Sequence, residues 1–367
     1  MLLVATLAAA SVVTMSVSPA MQTPPAAAEA TPRASSSSAL SGHNPAAPTD
    51  GTRLADGAKL LTQLQNISVT YADRYAGNAK YLQAMDFIAD QMTSMGLTVE
   101  KDPFGARGLN TLRVGNWPTS GGSMSPSGLA NVCGYYPSKD VTKEWVILGA
   151  HYDATEGGGE QAALDNGSGT AVVLELARLM SQYEWGDRVL VFCLWGGEED
   201  GVVGSTFYAS QLANAALVQM YVNLDMVGLV WPAPNLASWR VLHTVTGPAP
   251  YDQNDKLQNH ATNVRDNLLG FPDARFMEQT MPTNPGCLLT DYVGFQAIGV
   301  PYFVMITGIG NPMCNSLYPI HTPTDSFANF VSNAGGTANA QQGLANQADY
   351  IFYLVSTADG VNFRVPV

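Results

Sequence analysis

Residues 145–153 read WVILGAHYD, residues 164–176 read LDNGSGTAVVLEL, and residues 188–199 read RVLVFCLWGGEE. The first is a short apolar run that breaks at Gly149 and then delivers a histidine and an acid. The second opens with a turn sequence, Asp165-Asn166-Gly167, and continues with Val172, Val173, Leu176 and Leu179 at the spacing of one helix face. The third is another apolar run, ending in Gly196-Gly197 and two glutamates. Unbroken apolar runs of this length read as strands buried on both faces. Strand, helix and strand in alternation argue for an α/β sandwich with a largely parallel centre.

The same pattern extends outward in both directions. Tyr81 to Met95 carries Leu82, Met85, Ile88, Ala89 and Met92 at helical spacing, and Gly96 stops it. Tyr221 to Leu224 and Tyr302 to Ile306 are further buried strands, and Ala338 to Val355 is a closing helix. Residues 229–286 hold a strand at Trp239 to Val245, a polar helix at Tyr251 to Leu269 and a Pro-rich stretch, an elaboration of the same domain. The expected fold is a three-layer α/β sandwich with a central mixed, mostly parallel sheet flanked by helices. In such sheets ligands bind beyond the carboxyl ends of the strands.

Composition narrows the functions that fit. With 17 Lys+Arg against 30 Asp+Glu, a formal charge of −13 argues against a phosphate-backbone partner, so no nucleic acid is expected. The surplus carboxylates are suited to holding a divalent metal. Gly157-Gly158-Gly159 is not followed by a Lys-Ser/Thr helix start, so a nucleotide cradle fails too.

Residues 1–20 begin with an apolar run from Met1 to Val17 and offer Ser18-Pro19-Ala20 as a cleavage site. They are expected to be a signal peptide, although no Lys or Arg precedes the run. Residues 21–50, rich in Pro, Ala and Ser, read as a linker or pro-segment, and 51–367 as the catalytic domain. A secreted or periplasmic protein with no membrane span after signal removal follows, expected to act as a monomer. Of the four cysteines, Cys193 in its apolar run reads as a buried free thiol. Cys287 and Cys314, in turn-rich segments, read as a disulfide.

Polar groups collect at strand ends and loops: His151-Tyr152-Asp153, Asp165-Asn166, Glu198-Glu199, Asn223-Leu224-Asp225 and Ile320-His321-Thr322-Pro323. Each alone has an ordinary explanation as turn or surface chemistry. Together, neutral imidazoles and carboxylates are the ligands of zinc. A bridged pair of ions needs a shared carboxylate and two further ligands each. His151, Asp165, Glu199, Asp225 and His321 meet that count, leaving Glu198 spare. Neighbours in an extended segment point oppositely. Glu199 would thus face metal while Glu198 acts as general base. Asp153 would accept the second ring N–H of His151.

The ordered set HYD, LDNGSG, WGGEE, NLDM and HTPTD resembles the co-catalytic zinc aminopeptidases of peptidase clan MH, over about residues 60–356. The resemblance implies two Zn²⁺ ions, one held by His151 and Asp225 and one by Glu199 and His321. It implies Asp165 as the bridge, Glu198 as the base and a cis peptide between Asp165 and Asn166. The implied substrates are peptides with a free N-terminus. Two departures stand out. Thr290-Asp291-Tyr292 replaces a Ser-Asp-His triplet, and Ile320 replaces a tyrosine that stabilises the oxyanion. Tyr292 and Tyr318 are the candidate replacements for that donor. Tyr302–Ile306, Tyr318, Ile320 and Met226 would suit a large apolar first side chain. The alternatives are a glutaminyl-cyclase-like acyltransferase with one zinc and a metal-free binding domain.

Overall fold

The computed structural model describes residues 44–104, 128–156, 159–229, 240–243, 252–271, 277–280, 290–307, 318–361 and 363. The strands are β1 (Thr98–Pro103), β2 (Ala130–Tyr136), β3 (Glu144–His151), β4 (Arg188–Trp195), β5 (Val218–Asp225), β6 (Arg240–His243), β7 (Met277–Thr280) and β8 (Tyr302–Ile306). Among the described residues they form one sheet in the order β1-β2-β4-β3-β5-β8-β6-β7. The central four, β4-β3-β5-β8, are parallel; β1, β2 and β6 join antiparallel to their inner neighbours. Every residue of β4, β5 and β8 is buried. That burial is why these runs lack the alternation of a one-sided sheet.

Helices α1 (Gly57–Gln65), α2 (Ala79–Ser94), α3 (Gly169–Met180), α4 (Val203–Gln211), α5 (Asp252–Asn263), α6 (Tyr292–Ala297), α7 (Phe327–Asn333) and α8 (Thr337–Ser356) flank the sheet. Asp56 caps α1, accepting the N–H groups of Ala58 and Lys59, and Asn78 caps α2 through Tyr81 N–H. The buried face of α2 is Tyr81, Ala84, Ile88, Ala89 and Met92. Leu82 and Met85, expected on that face, sit half-buried at its margin. The stripe is turned so that the Tyr81 ring stacks on Tyr152 beside the site, 4.8 Å between centroids. Helix α3 packs under β3, β4 and β5, and α1 and α8 pack against α3.

Several expectations change. Cys193 is not a free thiol but is disulfide-bonded to Cys133. The two stand directly opposite in the antiparallel β2–β4 pair, a register invisible in a strand-by-strand reading. Cys287 and Cys314 lie outside the described residues, as does residue 239 at the start of the expected Trp239–Val245 strand. The elaboration at 229–286 adds β6 and β7 to the sheet edge. At the other end, Glu184 N–H donates to Pro45 carbonyl at 2.9 Å, so packed chain begins ahead of the boundary expected at residue 51. Among the described residues no helix is long and apolar enough to cross a membrane.

Candidate active site

Three neighbouring strands deliver the site from their carboxyl ends. His151 is the last residue of β3, Asp225 the last of β5, and Glu198-Glu199 follow Trp195 at the end of β4. Strand β3 lies between the other two, with His151 paired to Trp195. Asp165 comes from the wide turn Ala163–Ser168 leading into α3, and His321 from the loop after β8.

Side chains one residue removed tie these segments together. Asn166, joined to Asp165 by a cis peptide, donates to Leu224 carbonyl at 2.9 Å and accepts Met226 N–H at 3.2 Å, straddling Asp225. Thr170 holds the His151 carbonyl at 3.0 Å, and Ser168 accepts Val227 N–H at 2.9 Å. Asp153 accepts the N–H groups of Glu198 and Glu199 at 3.2 and 3.3 Å. Its Oδ1 lies 3.6 Å from His151 Nδ1, too far for the expected hydrogen bond. Asp153 therefore orients the glutamate turn. That segment is also a turn, not extended chain, since Glu198 carbonyl accepts Gly201 and Val202 N–H.

The central feature is the Asp165 carboxylate. Its Oδ1 lies 3.2 Å from His151 Nε2, which is itself 3.5 Å from Asp225 Oδ1. Its Oδ2 lies 3.1 Å from His321 Nε2, which is 3.2 Å from Glu199 Oε2. The potential ligand atoms of His151, Asp165 and Asp225 all fall within 4.8 Å of one another, as do those of Asp165, Glu199 and His321, and those of His151, Glu198 and Glu199. The side chain of His321 is 45% exposed while those of His151, Asp165 and Glu199 are at most 7%, so the site opens on the His321 side.

Burial sets the electrostatics. It pushes Glu198 well above the carboxylate range, helped by Glu199, Asp291 and Asp225, with His151 opposing. Glu199 is pushed up to about 8 by burial and by Asp165. Burial works against a charged His321, but hydrogen bonds to Asp165 and Glu199 outweigh it and carry it up to about 12. The same histidines overcome the burial of Asp165 and hold it below its usual range. Such crowding of carboxylates asks for positive charge.

These residues fit a metal. Asp225 Oδ1 and Glu199 Oε1 are buried and, among the described residues, have no hydrogen-bond partner, a costly arrangement unless a cation takes their lone pairs. Imidazole nitrogen and carboxylate oxygen are the donor set zinc accepts.

Tyr292, at the start of α6, is buried with its ring stacked flat on Tyr302 of β8, 4.7 Å between centroids. Tyr318 and Met226 are also buried, and Tyr302–Ile306 are core rather than pocket wall. Ile320 is half-buried beside His321 at the open side. Sequence reasoning missed Arg74, Glu160 and Asp325 and gave Asp291 no role, though all are buried around the site. Asp291 stands within the Thr290-Asp291-Tyr292 departure, and Asp325 closes the HTPTD motif. Arg74 sits in no recognisable pattern.

The peptidase family M28 model matches residues 131–346, and the chain belongs to that family. It is 30% identical over 201 residues to aminopeptidase YwaD of Bacillus subtilis, covering 54% of this chain and 39% of that one. The chain spans less than half the length of the curated relatives it matches. Among solved structures, an aminopeptidase from Aneurinibacillus sp. strain AM-1 superposes with a TM-score of 0.61 at 19% identity, covering 84% of this chain and 95% of that one. The glutaminyl cyclase of Porphyromonas gingivalis superposes with a TM-score of 0.60 at 17% identity, covering 83% and 99%. At those identities the structural likeness speaks for the fold, which is common to hydrolase and cyclase.

Proposed function

We propose that the chain is an exported aminopeptidase with two zinc ions, one held by His151 and Asp225, the other by Glu199 and His321, and both by Asp165. The observation that carries this reading is the Asp165 carboxylate, with one oxygen facing each histidine. Bound zinc would polarise the scissile carbonyl and acidify the attacking water. Glu198, beside His151 and Glu199, takes the proton of that water and returns it to the leaving amine. A carboxylate whose burial raises its proton affinity is suited to both steps. The buried acids hold the substrate's ammonium group, and Ile320 at the mouth favours a large apolar first side chain. One chain carries all five ligands, so a monomer suffices.

Export is supported by the apolar run at residues 1–17 and by the buried Cys133–Cys193 disulfide, a bond that persists in oxidising compartments.

The deciding experiment compares leucyl-anilide with its N-acetylated twin, with and without chelator. Cleavage of the free amine alone, lost to chelator and restored by zinc, is the expected result. The second reading, a cyclase, has the fold likeness in its favour. Cyclisation of an N-terminal glutamine, without cleavage of leucyl-anilide by the zinc-loaded protein, would establish it instead.

A further inference from the structure

The Asp165 segment is held from two sides by buried charged residues that lie outside the ligand set. Arg74, wholly buried, donates to the carbonyls of Gln161 and Ala162 at 2.7 and 2.8 Å, and to Tyr152 carbonyl at 2.7 Å. Asp325, also wholly buried, accepts Leu164 N–H on Oδ1 at 2.8 Å and Asp165 N–H on Oδ2 at 3.0 Å. The Asp325 carbonyl faces Ala163 N–H at 3.4 Å. One residue therefore receives three successive amides. The carbonyl side of the segment hangs on the cation and the amide side on the anion, each the chemically matched partner.

Asp325 also belongs to the loop that carries His321. Its N–H donates to Thr322 carbonyl at 2.9 Å, closing the turn between them. The loop thus meets Asp165 twice, at its carboxylate through His321 Nε2 and at its amide through Asp325 Oδ2. Both segments contain a non-glycine residue in the left-handed region, Ala162 at φ 46° and His321 at φ 58°. Such residues persist only where their surroundings over-determine them.

We infer that Asp325 is a positioning residue that sets the distance from the bridging carboxylate of Asp165 to the imidazole of His321, and so builds the second metal position selectively. This rests on the two-metal reading above. Asn in its place keeps the shape but turns an N–H donor toward one of the two amides, undoing that half of the clamp.

The test is a zinc titration of metal-free protein, followed by calorimetry, with far-UV circular dichroism of the same samples. The wild type should bind two ions. Asp325→Asn should weaken one step about 10- to 100-fold, the usual effect of losing an outer-shell partner, and the other much less, because Arg74 and Asn166 still hold the Asp165 segment. The matched control is Asp349→Asn, because Asp349 likewise accepts two backbone N–H groups, those of Leu54 and Ala55, away from the site. That control should keep both steps. Should Asp325→Asn not fold, Asp325→Glu retains the charge and displaces the oxygens, and it should weaken the same single step. Two unchanged steps in a folded Asp325 variant, or equal weakening of both steps in it, would overturn the inference. A wild type that binds only one ion would instead refute the two-metal reading on which it stands.

Discussion

Glu198 and Glu199 are neighbours in the chain with different surroundings. Glu199 reaches Asp165 and His321, whereas Glu198 shares only His151 and Glu199 with the ligand cluster. Asp153 fixes the backbone of both by accepting their N–H groups. Glu198→Gln keeps the hydrogen-bonding shape and removes the base. We expect it to bind zinc as the wild type does while kcat falls by ~10²–10⁴. Paired metal analysis and kinetics check this, and wild-type turnover would dismiss Glu198 as base. At this scale the residues of the candidate metal clusters were legible in the sequence, because each sits in a short motif at a strand end, a turn or a loop. Asp325 and Arg74 were not, since their partners are backbone groups distant in the chain, and backbone groups leave no signature in side-chain types.

At the scale of elements, the site depends on how closely β3, β4 and β5 lie together. Gly149, two residues before His151, pairs with Cys193 on one side and Asn223 on the other. A Cβ there would stand 2.4 Å from Trp195 Nε1 and 2.9 Å from the Tyr221 hydroxyl. Those two groups are hydrogen-bonded to each other at 2.8 Å, and Tyr221 donates onward to Asn223 at 2.8 Å. Gly149→Ala must break that chain or shift β3. It should cost ~1–3 kcal/mol in a urea unfolding experiment, the range for overpacking a dense core. An unchanged midpoint would mean that Trp195 can turn aside freely. The buried parallel strands and α2, α3 and α8 were legible because long apolar runs and helical periodicity are strong local signals. Strand β1 was not, since every residue in it is exposed or half-buried and the apolar pattern is absent.

At the scale of the molecule, the candidate site brings the buried carboxylates of Asp165, Glu198, Glu199 and Asp225 together. A cation that binds only the folded state adds to its stability, by ~2.7 kcal/mol at a free concentration a hundred times its Kd. Chelation should therefore lower the melting temperature, and added zinc should restore it. A melting curve indifferent to both would argue against a resident metal. N-terminal sequencing of exported protein should start after residue 20, and an intact Met1 would end the signal-peptide reading. The sequence by itself determined the strand–helix alternation and singled out the His, Asp and Glu residues that the fold gathers into clusters able to hold a metal, because hydrophobic periodicity and motif spacing are properties of neighbouring residues. Only the tertiary structure decided the Cys133–Cys193 bond, the turn at Glu198-Glu199, the stacking of Tyr292 on Tyr302 and the clamp on Asp165. Each depends on which segments become neighbours in space, and that is set by sheet register and burial over the whole chain.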